Sequence, residues 1–264
     1  MLDNQLILKQ CKKYEKEMIN FMCELIKIPA ESCQEKKVIE CIAAEMRKVG
    51  FDKVIMDKMG NIFGKIGCGK KIIAMDAHID TVGVGSEVEW KKVKREPFKP
   101  VIKNGIIYGR GASDQEAAMV SMVYAGKVIK DLKLTGDYTL YVVGTVQEED
   151  CDGLCWQYII NEKSIPRPEC VIITEPTNLC LYRGHRGRME IGVTTYGKSC
   201  HGSAPERGKN AVYMMAKVAN EIEKLNEKLR KHDFLGKGTV TISHISSKSP
   251  SLCAVAGECY IHLD

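Results

Sequence analysis

Three apolar runs, Ile72–Asp76, Tyr138–Val146 and Val171–Thr174, each give way within a few residues to His, Asp or Glu. Runs of this length, rich in β-branched and aromatic residues, predict buried strands. The first leads to His78 and Asp80, the second to Glu148 and Glu149, and the third to Glu175. A further acid, Asp114, follows a turn built on Gly109, Arg110 and Gly111. In open α/β sheets ligands bind beyond the carboxyl ends of the strands. The pattern therefore predicts an α/β fold with its site at those ends. Adjacent acids such as Glu148 and Glu149 repel each other unless something positive lies between or beside them.

The flanking sequence supplies helices. Apolar residues recur at helical spacing over residues 5–28, with Pro29 as the stop, and over 36–49, with Gly50 as the close. Residues 115–132 predict a helix that begins just after Asp114, and short strands are expected over 53–56 and 61–64. Residues 81–103 read as an irregular polar loop. Beyond Leu181 the character changes. Residues 189–196, 238–245 and 258–263 alternate apolar and polar positions, and 211–231 is amphipathic. A separate small β-α-β-β layer with one wet face is expected, which divides the chain into domains over 1–181 and 182–264.

Composition narrows the function. The net charge of +5 is modest, and 44% hydrophobic with 28% charged residues is ordinary for a globular protein. The basic stretch Lys91–Arg95 lacks aromatic interleaving, so no nucleic-acid partner is expected. No apolar stretch is long enough to cross a membrane, and the first residues lack a secretory signal. Twelve cysteines without a Cys-x-x-Cys pair predict reduced thiols, mostly buried or incidental, and a cytoplasmic protein.

The strand-end residues suit a metal. His78 and Asp80 are two apart and share one face of a strand. A carboxylate beside a ligating imidazole can fix the ring nitrogen that the metal does not use. Asp114, with two oxygens, could bridge two divalent ions. Of the glutamate pair, one would ligate and the other would take a proton from water. Glu175, held extended by Pro176, would be another oxygen ligand. A loop histidine such as His201 is ordinarily solvated, and His185, His232, His244 and His262 have no partner at a useful spacing.

Five segments occur in order: Met75–Val82, Tyr108–Asp114, Gln147–Glu149, Thr174–Thr177 and Gly197–Pro205. Together they resemble the co-catalytic dizinc hydrolases typified by acetylornithine deacetylase, succinyl-diaminopimelate desuccinylase and aminoacylase. Ser113–Glu116 is most similar to the selenium-metabolism hydrolase branch. The resemblance implies a zinc-exopeptidase-like mixed sheet flanked by helices, with an inserted small α+β lid and dimerisation domain. It implies two Zn2+ ions, with Co2+ or Mn2+ able to take their place. His78 and Glu175 would hold one ion, Asp114 would bridge, and Glu149 would hold the other. Glu148 would be the general base, Asp80 would orient His78, and His201 would stabilise an oxyanion, in dimeric members from the partner subunit. A cis peptide is implied between Asp114 and Gln115.

The implied reaction is attack of a metal-held hydroxide on the amide of a small N-acyl amino acid or peptide. The implied assembly is a homodimer through the lid, with neither nucleic acid nor membrane as partner. Two positions depart from the common pattern. Glu116 and Ala117 stand where many members have Lys and Gly, which reverses a local charge. The family's final His ligand falls beyond this sequence, so the chain reads as the front part of a longer protein and is expected to be inactive alone. The alternative is a non-catalytic binding or assembly fragment.

Overall fold

The computed structural model describes residues 4–151 and 153–264. They form two compact units, one ending at Cys180 and one spanning Leu181–Asp264. The first unit contains, in order, α1 (Asn4–Lys13), α2 (Glu15–Ile26), α3 (Lys36–Lys48), β1 (Lys53–Met56), β2 (Ile62–Ile66) and β3 (Lys71–His78). These are followed by α4 (Glu87–Lys92), β4 (Val101–Lys103), β5 (Ile106–Tyr108), α5 (Glu116–Asp131), β6 (Tyr138–Thr145), α6 (Glu148–Cys151), α7 (Leu154–Glu162) and β7 (Cys170–Ile173).

Five of these strands make one mixed sheet in the order β1-β2-β6-β3-β7. The pairs β1/β2 and β2/β6 are antiparallel, whereas β6, β3 and β7 run parallel. Successive strand residues point to opposite faces. Ile62, Ala77, Leu140 and Val142 pack on one face against Leu25, Ile42, Met46 and Met119 of α2, α3 and α5. Phe63, Ala74, Tyr141 and Val143 pack on the other with Ile159 and Trp156 of α7. Cover on both faces is why β6 is apolar without alternation. The packing is close: a Cβ on Gly64 would lie 2.5 Å from Phe51 and 2.7 Å from Met46.

The parallel register sets up the site. His78 lies opposite Thr145, and Asp76 lies opposite Ile173. Strands β3 and β6 therefore end level with one another, and β7 ends two residues short of them. The chain beyond each end carries Asp80, Glu148 with Glu149, or Glu175.

Several expectations change. The helix expected over residues 5–28 is two helices, broken at Tyr14. The Tyr14 hydroxyl donates to Asp131 of α5 and accepts from Gln10 Nε2 at 3.1 Å, and its ring lies 5.9 Å from that of Tyr124. Tertiary contact here overrides a helical period that runs straight through. The loop expected over 81–103 contains α4, capped by Ser86, and one strand of the β4/β5 hairpin. The hairpin turn has positive φ at both Asn104 (54°) and Gly105 (76°), the conformation that an Asn-Gly pair favours. Strand β7 is exposed, with Val171, Ile172 and Ile173 at 38%, 48% and 57%. Among the described residues it is an edge strand, paired to β3 alone. Among the described residues Cys155 and Cys259 are the buried cysteines, and the others are partly or fully exposed, the incidental thiols of the sequence reading.

The second unit contains β8 (Ile191–Tyr196), a 3-10 turn at Pro205–Arg207, α8 (Ala211–Lys228), the short strands β9 (Lys231–His232) and β10 (Gly236–Lys237), β11 (Ile242–Lys248) and β12 (Glu258–Leu263). Its antiparallel sheet has the order β11-β12-β8. Ala211 and Met215 of α8 pack against Cys259, Ile261 and Leu263 of β12. The helix ends at Lys228 and β11 begins at Ile242, both displaced from the sequence expectation by the β9/β10 ribbon.

Candidate metal centre

His78, at the end of β3, is buried, and both of its ring nitrogens are committed. Nδ1 lies 2.9 Å from the main-chain oxygen of Asp80. A carbonyl oxygen only accepts, so Nδ1 carries a hydrogen. Nε2 then faces the acids, 3.0 Å from Asp114 Oδ1 and 3.9 Å from Glu148 Oε2. The Asp80 carboxylate stands farther from Nδ1, at 3.6 Å. Its stronger contacts are elsewhere. Oδ2 accepts from Ser32 Oγ at 2.6 Å and from the Glu149 amide at 3.1 Å, and Oδ1 accepts from the Glu148 amide at 3.1 Å. Asp80 thus orients His78 largely through its own main chain, while its carboxylate fixes the segment that carries both glutamates.

Asp114 reaches the site from the turn before α5, and the peptide between Asp114 and Gln115 is cis. Gly111 allows this turn on two counts. Its φ is +77°, and a Cβ there would lie 2.6–2.9 Å from the Glu116 carboxyl group. One donor atom from each of His78, Asp114 and Glu175 lies within 4.8 Å of the others. Glu149 is not in that trio. It lines a small cavity with Asp114, Thr81 and Arg110.

Asp80, Asp114, Glu148, Glu149 and Glu175 surround a single imidazole. Burial raises His78's cost of charging, but the bond to Asp114 and the nearby Asp80 carboxylate outweigh it and lift the ring to about 11. Glu148 is pushed up to about 7 by burial, helped by Glu175 and Glu149 and opposed by His78. Burial also raises Glu149. For Asp80, burial is outweighed by His78, Ser32 and the two amides, so its carboxyl is held low. An acid-rich pocket that raises its own glutamates is short of positive charge. A mixed imidazole and carboxylate donor set supplies what a divalent cation such as zinc needs, so these residues fit one.

Glu116 is 2% exposed and pushed up to about 8 by burial. Sequence reasoning missed the residues that fix the glutamate segment from a distance. Besides Ser32, Glu35 accepts from the Gln147 amide at 2.9 Å and Asn61 from the Val146 amide at 3.1 Å. No local motif marks them.

His201 belongs to the second unit and is exposed. Its Nδ1 accepts from the Ser203 amide at 3.2 Å and lies 2.7 Å from Ser203 Oγ. In the neutral ring the hydrogen therefore sits on Nε2.

The chain belongs to peptidase family M20/M25/M40, whose profile matches residues 74–260. Over 260 residues it is 54% identical to the uncharacterized protein YgeY of Escherichia coli K12, a match covering 98% of this chain and 64% of that protein. The chain therefore spans less than two thirds of this relative's length. It is 28% identical over 222 residues to a probable succinyl-diaminopimelate desuccinylase of Staphylococcus epidermidis, covering 83% of this chain and 54% of that protein. Its fold is similar to that of Sso-CP2, an M20 family metallo-carboxypeptidase from Sulfolobus solfataricus, with a TM-score of 0.65, 18% identity, and coverage of 94% and 70% of the two chains. Among the described residues no helix is long and apolar enough to cross a membrane.

Proposed function

We propose that this chain carries most of the active site of a metal-dependent hydrolase that cleaves the amide bond of a small N-acyl amino acid or peptide. The observation that carries the reading is the convergence of His78, Asp114 and Glu175 within 4.8 Å at the ends of parallel strands. His78, Asp114 and Glu175, with Glu149 beside them, would hold two divalent ions, Zn2+ by donor chemistry, with Co2+ or Mn2+ able to occupy the same mixed imidazole and carboxylate set. Bound there, the ions would supply Lewis acidity toward the amide carbonyl and make water more acidic.

The chain's own groups supply the rest. Glu148 has its main chain fixed by Asp80 and its carboxylate free of the donor trio. It takes the proton of the attacking water and delivers it to the departing nitrogen. His201, with its hydrogen on Nε2, donates to the developing oxyanion. In a homodimer formed through the second unit, that histidine comes from the partner subunit. The cytoplasm suits a chain whose many thiols are to stay reduced.

The test has two arms. Calorimetric titration of the chain with Zn2+ and Co2+ should show binding that Asp114→Ala abolishes. Hydrolysis of N-acyl amino acids and dipeptides is then screened in the full-length protein with zinc. Binding and turnover support the enzyme. Absence of both supports the non-catalytic assembly reading.

A further inference from the structure

The three donor residues have neighbours that meet. Asp76 stands two residues before His78, Gln115 one after Asp114, and Thr174 one before Glu175. Thr174 Oγ1 lies 2.8 Å from the main-chain oxygen of Asp76 and 3.1 Å from Gln115 Oε1. The Thr174 amide donates to the same Asp76 oxygen at 3.1 Å. Gln115 is only 1% exposed, and its Nε2 is a buried donor with no partner among the described residues.

A hydroxyl has one hydrogen to give. Given to Asp76, the nearer acceptor, it leaves Thr174 Oγ1 able to accept. A Gln115 amide turned over about its last bond presents Nε2 to that oxygen and leaves Oε1 in the unpartnered position, where an under-satisfied carbonyl is better tolerated than an orphaned N–H. A chain of hydrogen bonds then runs from Gln115 through Thr174 to Asp76. It joins the three segments that carry the donors, without using a donor side chain.

Asp114 needs such an anchor. Its side chain is 53% exposed, and His78 is its one hydrogen-bonding side-chain partner among the described residues. The next residue is the one locked into the protein. The anchor is also uncharged. A glutamate at 115 would add to the repulsion among Asp114, Glu148, Glu149 and Glu175.

We infer that Gln115 is a positioning residue: with Thr174 it sets the spacing at which His78, Asp114 and Glu175 are presented to a divalent cation. This rests on the metal reading above. A glutamine that merely filled space would be replaced by leucine without consequence for the metal.

Zn2+ and Co2+ are titrated calorimetrically into the chain and into Gln115→Leu, Thr174→Val and Thr174→Ser, and thermal unfolding of each metal-free form is recorded. Gln115→Leu and Thr174→Val should each weaken binding by about 10- to 100-fold, the range for residues that orient metal ligands. Combining them should cost little more than either alone, because both break one link. Thr174→Ser, which keeps the hydroxyl, should bind as the unaltered chain does. Wild-type affinity in Gln115→Leu overturns the inference, whatever Thr174→Val does. Should Gln115→Leu lose metal-free stability as well, the threonine pair decides: rescue by serine supports the link, and equal weakening by serine and valine overturns it. Failure of the unaltered chain to bind either ion removes the metal reading itself, a distinct result.

Discussion

Asp80 is fully buried and accepts hydrogen bonds from Ser32 and from the amides of Glu148 and Glu149. Asp80→Ala would strand these donors, and an unsatisfied buried donor costs about 1–3 kcal/mol. The expected net loss is about 3 kcal/mol, since water can reach part of the half-buried glutamate segment. Urea unfolding of the metal-free chain measures it, and an unchanged midpoint would mean that Asp80 fixes nothing. Glu148→Gln acts differently. The Glu148 bond to Asp80 uses the main-chain amide, so the segment stays in place. In the full-length protein, turnover should fall about a hundred- to ten-thousandfold while metal content, read by mass spectrometry, stays the same. Metal loss in this variant would make Glu148 a ligand instead. His78, Asp80 and the glutamates could be read from the sequence because each sits in a short segment at a strand end. Ser32, Asn61 and Gln115 could not, because their partners are 48, 85 and 59 residues away, and only folding brings such partners together.

Helix α5 carries Gln115 at its start, so its other end must be held as well. Lys130 donates to the Gly50 carbonyl and to Asp52 Oδ1 at 2.5 Å, which pins the last turn of α5 to the junction of α3 and β1. The Lys130 bond holds Asp52 below its ordinary carboxyl value of 3.8. A depressed carboxyl stabilises the fold above that ordinary value and loses its contribution as pH falls through the lower, folded one. Asp52→Asn should therefore destabilise the chain by less than about 1 kcal/mol near neutral pH, because the pair is partly exposed and screened. The gap from wild type in urea unfolding should stay constant from about pH 7 to pH 5 and close below about pH 4. A gap that persisted unchanged below pH 4 would assign the effect to packing instead of charge. At this scale most elements were legible. The apolar runs gave β3 and β6, and the helical periods gave α3, α5 and α8. What the patterns do not carry is local: Tyr14 breaks a continuous period because its hydroxyl is drawn to Asp131, and the Asn104-Gly105 turn signal stands at the end of a polar stretch that hides the hairpin.

Two sheets end in edges of opposite chemistry. Strand β7 ends the sheet of the first unit with Val171, Ile172 and Ile173 exposed, whereas β11 ends that of the second with His244, Ser246 and Lys248 along one face. The sequence could not separate these cases, since an apolar run looks the same in a central strand and at an edge. Unpaired edges are templates for pairing with another chain, and an apolar edge lacks the charges that discourage it. The chain should therefore associate with rising concentration, and Ile173→Lys should suppress this by placing a charge on the β7 edge. Ile245→Lys, at the β11 edge, tests the alternative that copies join through the second unit. Sedimentation velocity over a range of concentrations reads both variants. If Ile173→Lys is monodisperse and Ile245→Lys is not, pairing runs through β7. If only Ile245→Lys dissociates the assembly, the second unit forms the dimer, and the proposed delivery of His201 from a partner subunit gains its structural basis. A concentration-independent monomer in the unaltered chain would show that neither edge recruits a copy.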